Sequence, residues 1–169
     1  MSGYCADARE AEVLAYLDGL GIAYERFEHE PAVTMERCAA LRELTGAPHC
    51  KNLFLTNRNR TEYYLVIMDG AKRFRTADIS KQLGASRLSF ASDCALRDKL
   101  NADAGAITPL ALLYDARREV RVAVDEDVLR LERVCVHPMS AASSLRLATA
   151  DLTCAIESLG YVICHILPQ

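Results

Sequence analysis

No apolar run in this sequence approaches the ~20 residues that a membrane-spanning helix needs. It also opens without a charged-then-apolar leader. A cytoplasmic protein without membrane contact is therefore expected. No pair of cysteines has C-x-x-C spacing, although the chain holds seven, at positions 5, 38, 50, 94, 135, 154 and 164. An odd, scattered set among apolar neighbours argues against a disulfide framework and against zinc ligation; such thiols are usually buried and reduced. The histidines (His29, His49, His137, His165) include no i, i+4 pair, so no metal is expected. There is no G-x-G-x-x-G and no G-x-x-x-x-G-K, which leaves nucleotide cofactors without their usual cradle. We expect no cofactor. The G-x-S-x-G elbow of a Ser-His-Asp hydrolase is missing as well.

What is present is an ordinary globular composition, 51% apolar and 25% charged, in 169 residues. That length suits a single domain, 1–169, with a sizeable core. The net charge of −3 alone argues against a nucleic-acid partner, but its distribution does not. Between Lys51 and Arg87 stand eight basic residues and three acids, so this stretch is +5 and the remainder −8. A basic middle on an acidic body suits a polyanion touching one face. A solvated hairpin and helix would look the same.

Along the chain, hairpins of strand-like residues interleave with helical patterns. Asp7-Ala8-Arg9-Glu10 has the form of a capping box, followed by a stripe of Val13, Leu14, Leu17 and Leu20. Thr34 is placed to cap a second helix through about Leu44. Lys51-Asn52-Leu53-Phe54-Leu55 predicts a buried strand, and residues 61–68 its hairpin partner. Thr76 or Asp78 caps a short helix ended by Gly84, and Ser92 caps another. Residues 110–114 and 120–124 predict a second hairpin around Asp115–Arg118. A helix over 151–159 and a strand over 161–166 close the chain. The expected class is mixed α+β: a mixed, mostly antiparallel sheet with surrounding helices, not a doubly wound parallel sheet.

Three stretches combine turn geometry with polar reach: Lys51-Asn52 at a strand mouth, Gly105-x-Ile107-Thr108-Pro109, and His137-Pro138. A turn glycine lets a backbone N–H approach a developing oxyanion, lysine neutralises an anion or holds a carbonyl, and histidine orients a water. Each of the three also has an ordinary structural explanation. Cys50, flanked by His49 and Lys51, is the best thiol candidate, because adjacent positive charge lowers a thiol pKa. Strand neighbours point to opposite faces, however, so His49 need not serve it.

The order of these stretches resembles the YbaK/prolyl-tRNA-synthetase-associated editing domains, and more narrowly the freestanding ProX/PrdX group of alanyl-tRNA(Pro) deacylases. The residues that carry the resemblance are His29-Glu30-Pro31-Ala32-Val33-Thr34, His49-Cys50-Lys51-Asn52-Leu53-Phe54-Leu55, Arg87-Leu88-Ser89-Phe90, Gly105-Ala106-Ile107-Thr108-Pro109-Leu110 and Val136-His137-Pro138. The resemblance implies the editing-domain fold. It also implies hydrolysis of the ester that joins a wrong small amino acid, alanine first, to proline tRNA. A pocket built for proline cannot exclude alanine by size, so a second site corrects the error. Prolyl-tRNA synthetase is a further implied partner.

By the same resemblance Lys51, Gly105 and His137 are the catalytic group. Lys51 contacts the terminal adenosine or the ester, Gly105 the scissile carbonyl, and His137 lines the site. Asn52, Thr34, Ile107, Thr108, Pro109 and Ser144 are expected to shape the substrate pocket. Lys72, Arg73, Arg75 and Arg58 are expected to meet the tRNA. A water helped by the substrate's ribose hydroxyl is the implied nucleophile. Relatives usually carry an asparagine shortly after His-Pro, where this chain has Ala141. Two other readings stay open: a tRNA- or ester-binding module without turnover, and a thiol enzyme built on Cys50.

Overall fold

The computed structural model describes residues 3–31 and 35–169, with side chains over 8–31 and 36–169. Thr34 lies outside the described residues, as does the Asp7 side chain of the expected capping box. The first helix, α1 (Gly3–Gly19), already runs through that box. Glu10 is consequently no cap. Its carboxylate is buried and accepts hydrogen bonds from Arg26 Nε at 2.6 Å and Ser143 Oγ at 3.0 Å.

The fold is mixed α+β, and it contains two sheets where one was expected. A three-stranded antiparallel sheet has the order β1 (Tyr24–Glu28), β7 (Ser143–Ala148), β6 (Arg133–Val136). A five-stranded mixed sheet has the order β4 (Ser89–Phe90), β2 (Cys50–Thr56), β3 (Tyr63–Asp69), β5 (Val120–Asp125), β8 (Ile163–Ile166). In it β4–β2–β3 pair antiparallel and β3–β5–β8 parallel. One short parallel bridge, His49 to Cys135, joins the sheets, with Cys135 N donating to Pro48 O at 2.8 Å.

Alternation along β2 and β3 divides the apolar residues between two cores, because successive side chains of a strand face opposite ways. Phe54, Leu65 and Ile67 join Val120, Val122 and Val124 of β5 and Val134, Val136, Leu145 and Leu147 of the small sheet. Leu53, Leu55, Tyr64, Val66 and Met68 face the other way, under Ile79 of helix α3 (Thr76–Leu83). The remaining helices are α2 (Met35–Thr45), α4 (Asp93–Leu100), α5 (Glu126–Leu129) and α6 (Thr149–Ser158). Ser92 caps α4 by accepting from Ala95 N, and Gly84 ends α3 in the left-handed region at φ 62°, where glycine carries no Cβ penalty. Among the described residues no helix is long and apolar enough to cross a membrane.

The expected second hairpin is replaced. Pro109–Tyr114 forms a 3-10 helix, not a strand. Thr108 Oγ1 accepts from Leu110 N at 3.3 Å, and Pro109 occupies the first turn, where its missing N–H costs nothing. Leu110, Ala111 and Leu112 are buried in the larger core. A short unbroken apolar run does not declare its own period, which is why a strand was expected there. The 3-10 helix returns to β5 through Asp115. This buried carboxylate accepts from Glu119 N (3.1 Å), Val120 N (2.9 Å) and Tyr161 OH (2.7 Å).

Removing Asp115 strands two backbone donors and a phenol. Asp115→Ala is expected to lower stability by about 3 kcal/mol and Tyr161→Phe by about 1 kcal/mol, with the double variant losing less than the sum. Urea unfolding of the four proteins measures this.

Candidate active site

β2 enters the mixed sheet at Cys50, so Lys51 stands at the strand mouth as expected. Its Nζ donates to the backbone O of Lys72 at 2.6 Å and lies 5.9 Å from the centre of the Phe74 ring. The Lys72 carbonyl is itself held. The Lys72 ammonium reaches Asp125 at 2.9 Å and Asp127 at 2.5 Å, and Asp125 is fully buried. Burial works against the Lys72 charge, yet the hydrogen bonds to Asp127 and Asp125 outweigh it and raise the pKa. Asp125 also accepts from Asp69 N at 3.4 Å and Asp127 N at 3.0 Å.

Lys51 opens onto a cleft of about 470 Å³ whose lining includes His49, Cys50, Gly70, Arg42 and His137. Gly70 donates its N–H to His49 O at 3.2 Å. A Cβ at Gly70 would stand 2.6 Å from that oxygen, so the close approach of the two turns requires glycine.

Burial disfavours the charged form of two histidines here, His137 and His49. His137 Nδ1 lies 2.9 Å from Ser143 O; a carbonyl only accepts, so Nδ1 carries the proton and Nε2 is bare. Burial lowers the His137 pKa, against that bond. His29 Nδ1 likewise donates to Glu30 O at 2.9 Å, and its Nε2 shares a hydrogen bond with Ser144 Oγ, 2.8 Å away. The His29 and His137 rings are 6.1 Å apart. Both ring nitrogens of His49 are buried without a partner, and burial, aided by His137, His29 and Arg42, pushes its pKa down to about 4. Among the described residues no three potential ligands are grouped to hold a metal. Burial pushes the Cys50 thiol up to about 12, opposite to what a thiolate nucleophile needs. The thiol-enzyme reading loses its physical basis there.

The structure distributes the other expected residues unevenly. Asn52 points to the opposite face of β2 from Lys51. Its Nδ2 donates to Ile107 O at 3.1 Å, and its Oδ1 is buried without a partner. Thr108 and Pro109 are buried beside Ile107, as the start of the 3-10 helix. Gly105 is exposed in the turn Ala104–Ala106, where a Cβ would meet nothing, and it does not line the cleft around Lys51. Ser144 is buried and reaches the site only through His29. Arg73 and Arg75 are exposed on either side of Phe74, and Arg58 is exposed at the β2–β3 tip. Lys72 differs from the tRNA contact expected of it, since its charge is spent on two aspartates. The sequence offers His49 only as a metal ligand or a partner for Cys50 and Asp69-Gly70 only as a turn after a strand, and no pattern in it singles out Phe74.

Residues 29–154 match the aminoacyl-tRNA editing domain family. The chain belongs to that family. It is 32% identical over 155 residues to the prolyl-tRNA editing protein ProX of Acetoanaerobium sticklandii, spanning 91% of this chain and 93% of that one. It is 33% identical over 156 residues to prolyl-tRNA synthetase associated domain-containing protein 1 of Mus musculus, spanning 89% and 91%. In fold it is similar to the crystal structure of a proposed trans-editing enzyme for prolyl tRNA synthetase, with a TM-score of 0.71 at 16% identity over 95% of this chain and 98% of that one.

The His49 pKa is below its unfolded value, so the unfolded chain binds more protons between about pH 6.5 and 4. Stability is full above that window and falls as the pH drops through it. Thermal midpoints are expected to decline from pH 6.5 to pH 4, and less steeply in His49→Gln. Identical slopes in the two proteins would show that His49 is not protonated on unfolding.

Proposed function

We propose that this chain is a trans-editing deacylase that hydrolyses the aminoacyl ester of mischarged tRNA(Pro), with alanine as the amino acid removed. The observation that carries the reading is Lys51: an ammonium fixed by the Lys72 carbonyl at the mouth of a cleft that His49 and His137 also line. Family membership and the editing protein among the relatives support it. The ester carbonyl sits against Lys51 Nζ, whose charge stabilises the oxyanion formed as water attacks, while the Lys72 carbonyl keeps the ammonium aimed. The bare Nε2 of His137 accepts a hydrogen bond from that water, and the substrate's ribose hydroxyl assists.

Asn52 acts from the far side of β2 by fixing Ile107, and Thr108 and Pro109 hold that segment in place. Gly105 and Ser144 then shape the surroundings of the site without bordering it. Thr34 remains a candidate pocket residue on its sequence motif alone. Arg73 and Arg75 flank the mouth as phosphate contacts, with Arg58 further along the hairpin. The chain acts in the cytoplasm as one editing domain, on free tRNA or beside prolyl-tRNA synthetase.

The test is deacylation of proline tRNA charged separately with alanine, cysteine, serine and proline. Wild-type protein is expected to release alanine and spare proline. Lys51→Ala is expected to slow release by about 100-fold or more, the usual loss for one oxyanion donor. A variant at near wild-type rate would remove Lys51 from the chemistry.

A further inference from the structure

A second, larger groove lies away from the Lys51 cleft, at the other end of β2. Its volume is about 550 Å³, and Arg58, Arg60, Arg87, Tyr63 and Phe90 line it without a single carboxylate. Among the described residues none of the three arginines is ion-paired, and all three are exposed. Glu62, the acid of the same hairpin, is occupied: Arg121 lies 3.4 Å away, and Tyr64 OH donates to it at 3.1 Å. The tip that carries Arg58 and Arg60 is stiff. Asn57 Oδ1 accepts from Thr61 N at 2.9 Å and Glu62 N at 3.2 Å, and Arg60 N donates to Asn57 O at 3.0 Å. Arg60 is held at φ 55°, a left-handed position where glycine would be the unstrained choice.

Phe90 leaves 59% of its surface exposed, unusual for an aromatic in a strand. Its ring meets Phe74 edge to face at 5.5 Å, and Phe74 lies under the Lys51 ammonium. An aromatic path thus connects the arginine groove to the candidate active site. Along β2 the two are separated by the stretch from Lys51 to Thr56, on the order of 17 Å at strand rise.

We infer that this groove binds the unpaired 3′ strand of an RNA substrate, with a base stacked on Phe90 and phosphates on Arg58, Arg60 and Arg87, so that the strand's end reaches Lys51. Cations that track a backbone beside an exposed aromatic are what single-stranded nucleic acid needs, since every base has a stacking face. The inference rests on the editing reading for the direction of the strand, and its binding step is separable from turnover.

The experiment is fluorescence anisotropy with an uncharged RNA hairpin copying the acceptor stem of proline tRNA, with and without its unpaired 3′ end. Wild-type protein is expected to bind the tailed hairpin more tightly than the blunt one. Phe90→Ala is expected to lose about tenfold in affinity for the tailed hairpin and little for the blunt one. Arg58→Ala combined with Arg60→Ala is expected to make the salt dependence shallower by about 0.7 for each phosphate that no longer meets an arginine. Equal affinities for the two hairpins, no RNA binding, or a Phe90→Ala variant that keeps the preference for the tail would overturn the inference. Deacylation by a Phe90→Ala protein with unaltered RNA binding would sink the groove and keep the enzyme. Tail binding without ester loss would do the reverse.

Discussion

The buried carboxylate of Asp125 holds the candidate active site together. At the end of β5 it draws in the Lys72 ammonium, the Asp69 N–H and the first turn of α5 at once. A carboxylate removed from water is tolerated only when paired and hydrogen-bonded, and unpairing one typically costs about 3–5 kcal/mol. That cost anchors the segment after β3 and places the Lys72 carbonyl where it receives Lys51. The Lys51 ammonium is therefore aimed by backbone, and the backbone is held by an ion pair to a different strand.

β2 serves both of its faces. Lys51, Leu53 and Leu55 look toward α3, whereas Asn52 and Phe54 look toward the larger core and the segment carrying Ile107. At its two ends the strand meets different chemistry: a cleft where the Lys51 ammonium stands beside the imidazoles of His49 and His137, with Arg42 and Asp69 also in its wall, and an open groove lined by three guanidinium groups and no carboxylate. Phe74 and Phe90 connect the two. Short-range charge stabilisation is the role proposed for the first setting. Long-range attraction of a polyanion belongs to the second.

Local chemistry made much of this legible in advance. The β2–β3 hairpin, the Ser92 cap, the Gly84 stop and the position of Lys51 at a strand mouth follow from residues close together in the chain. What escaped depends on distance or parity. Lys72 looks like a free surface cation until Asp125, 53 residues on, is folded against it. Asn52 looks like a neighbour of Lys51 until the strand's alternation sends it to the other face. The run Pro109–Tyr114 carries no period of its own, and a threonine cap with a proline decided it as a 3-10 helix. The two sheets meet at the isolated bridge between His49 and Cys135, which no local pattern announces.

The central claim is that Asp125 acts on the reaction through the placement of Lys51. A double-mutant cycle on kcat/KM for alanine-charged proline tRNA, with Asp125→Asn and Lys51→Ala, tests it most directly. If the claim holds, Asp125→Asn slows the enzyme when Lys51 is present and has little further effect once Lys51 is alanine. Equal, independent losses in both backgrounds would contradict it.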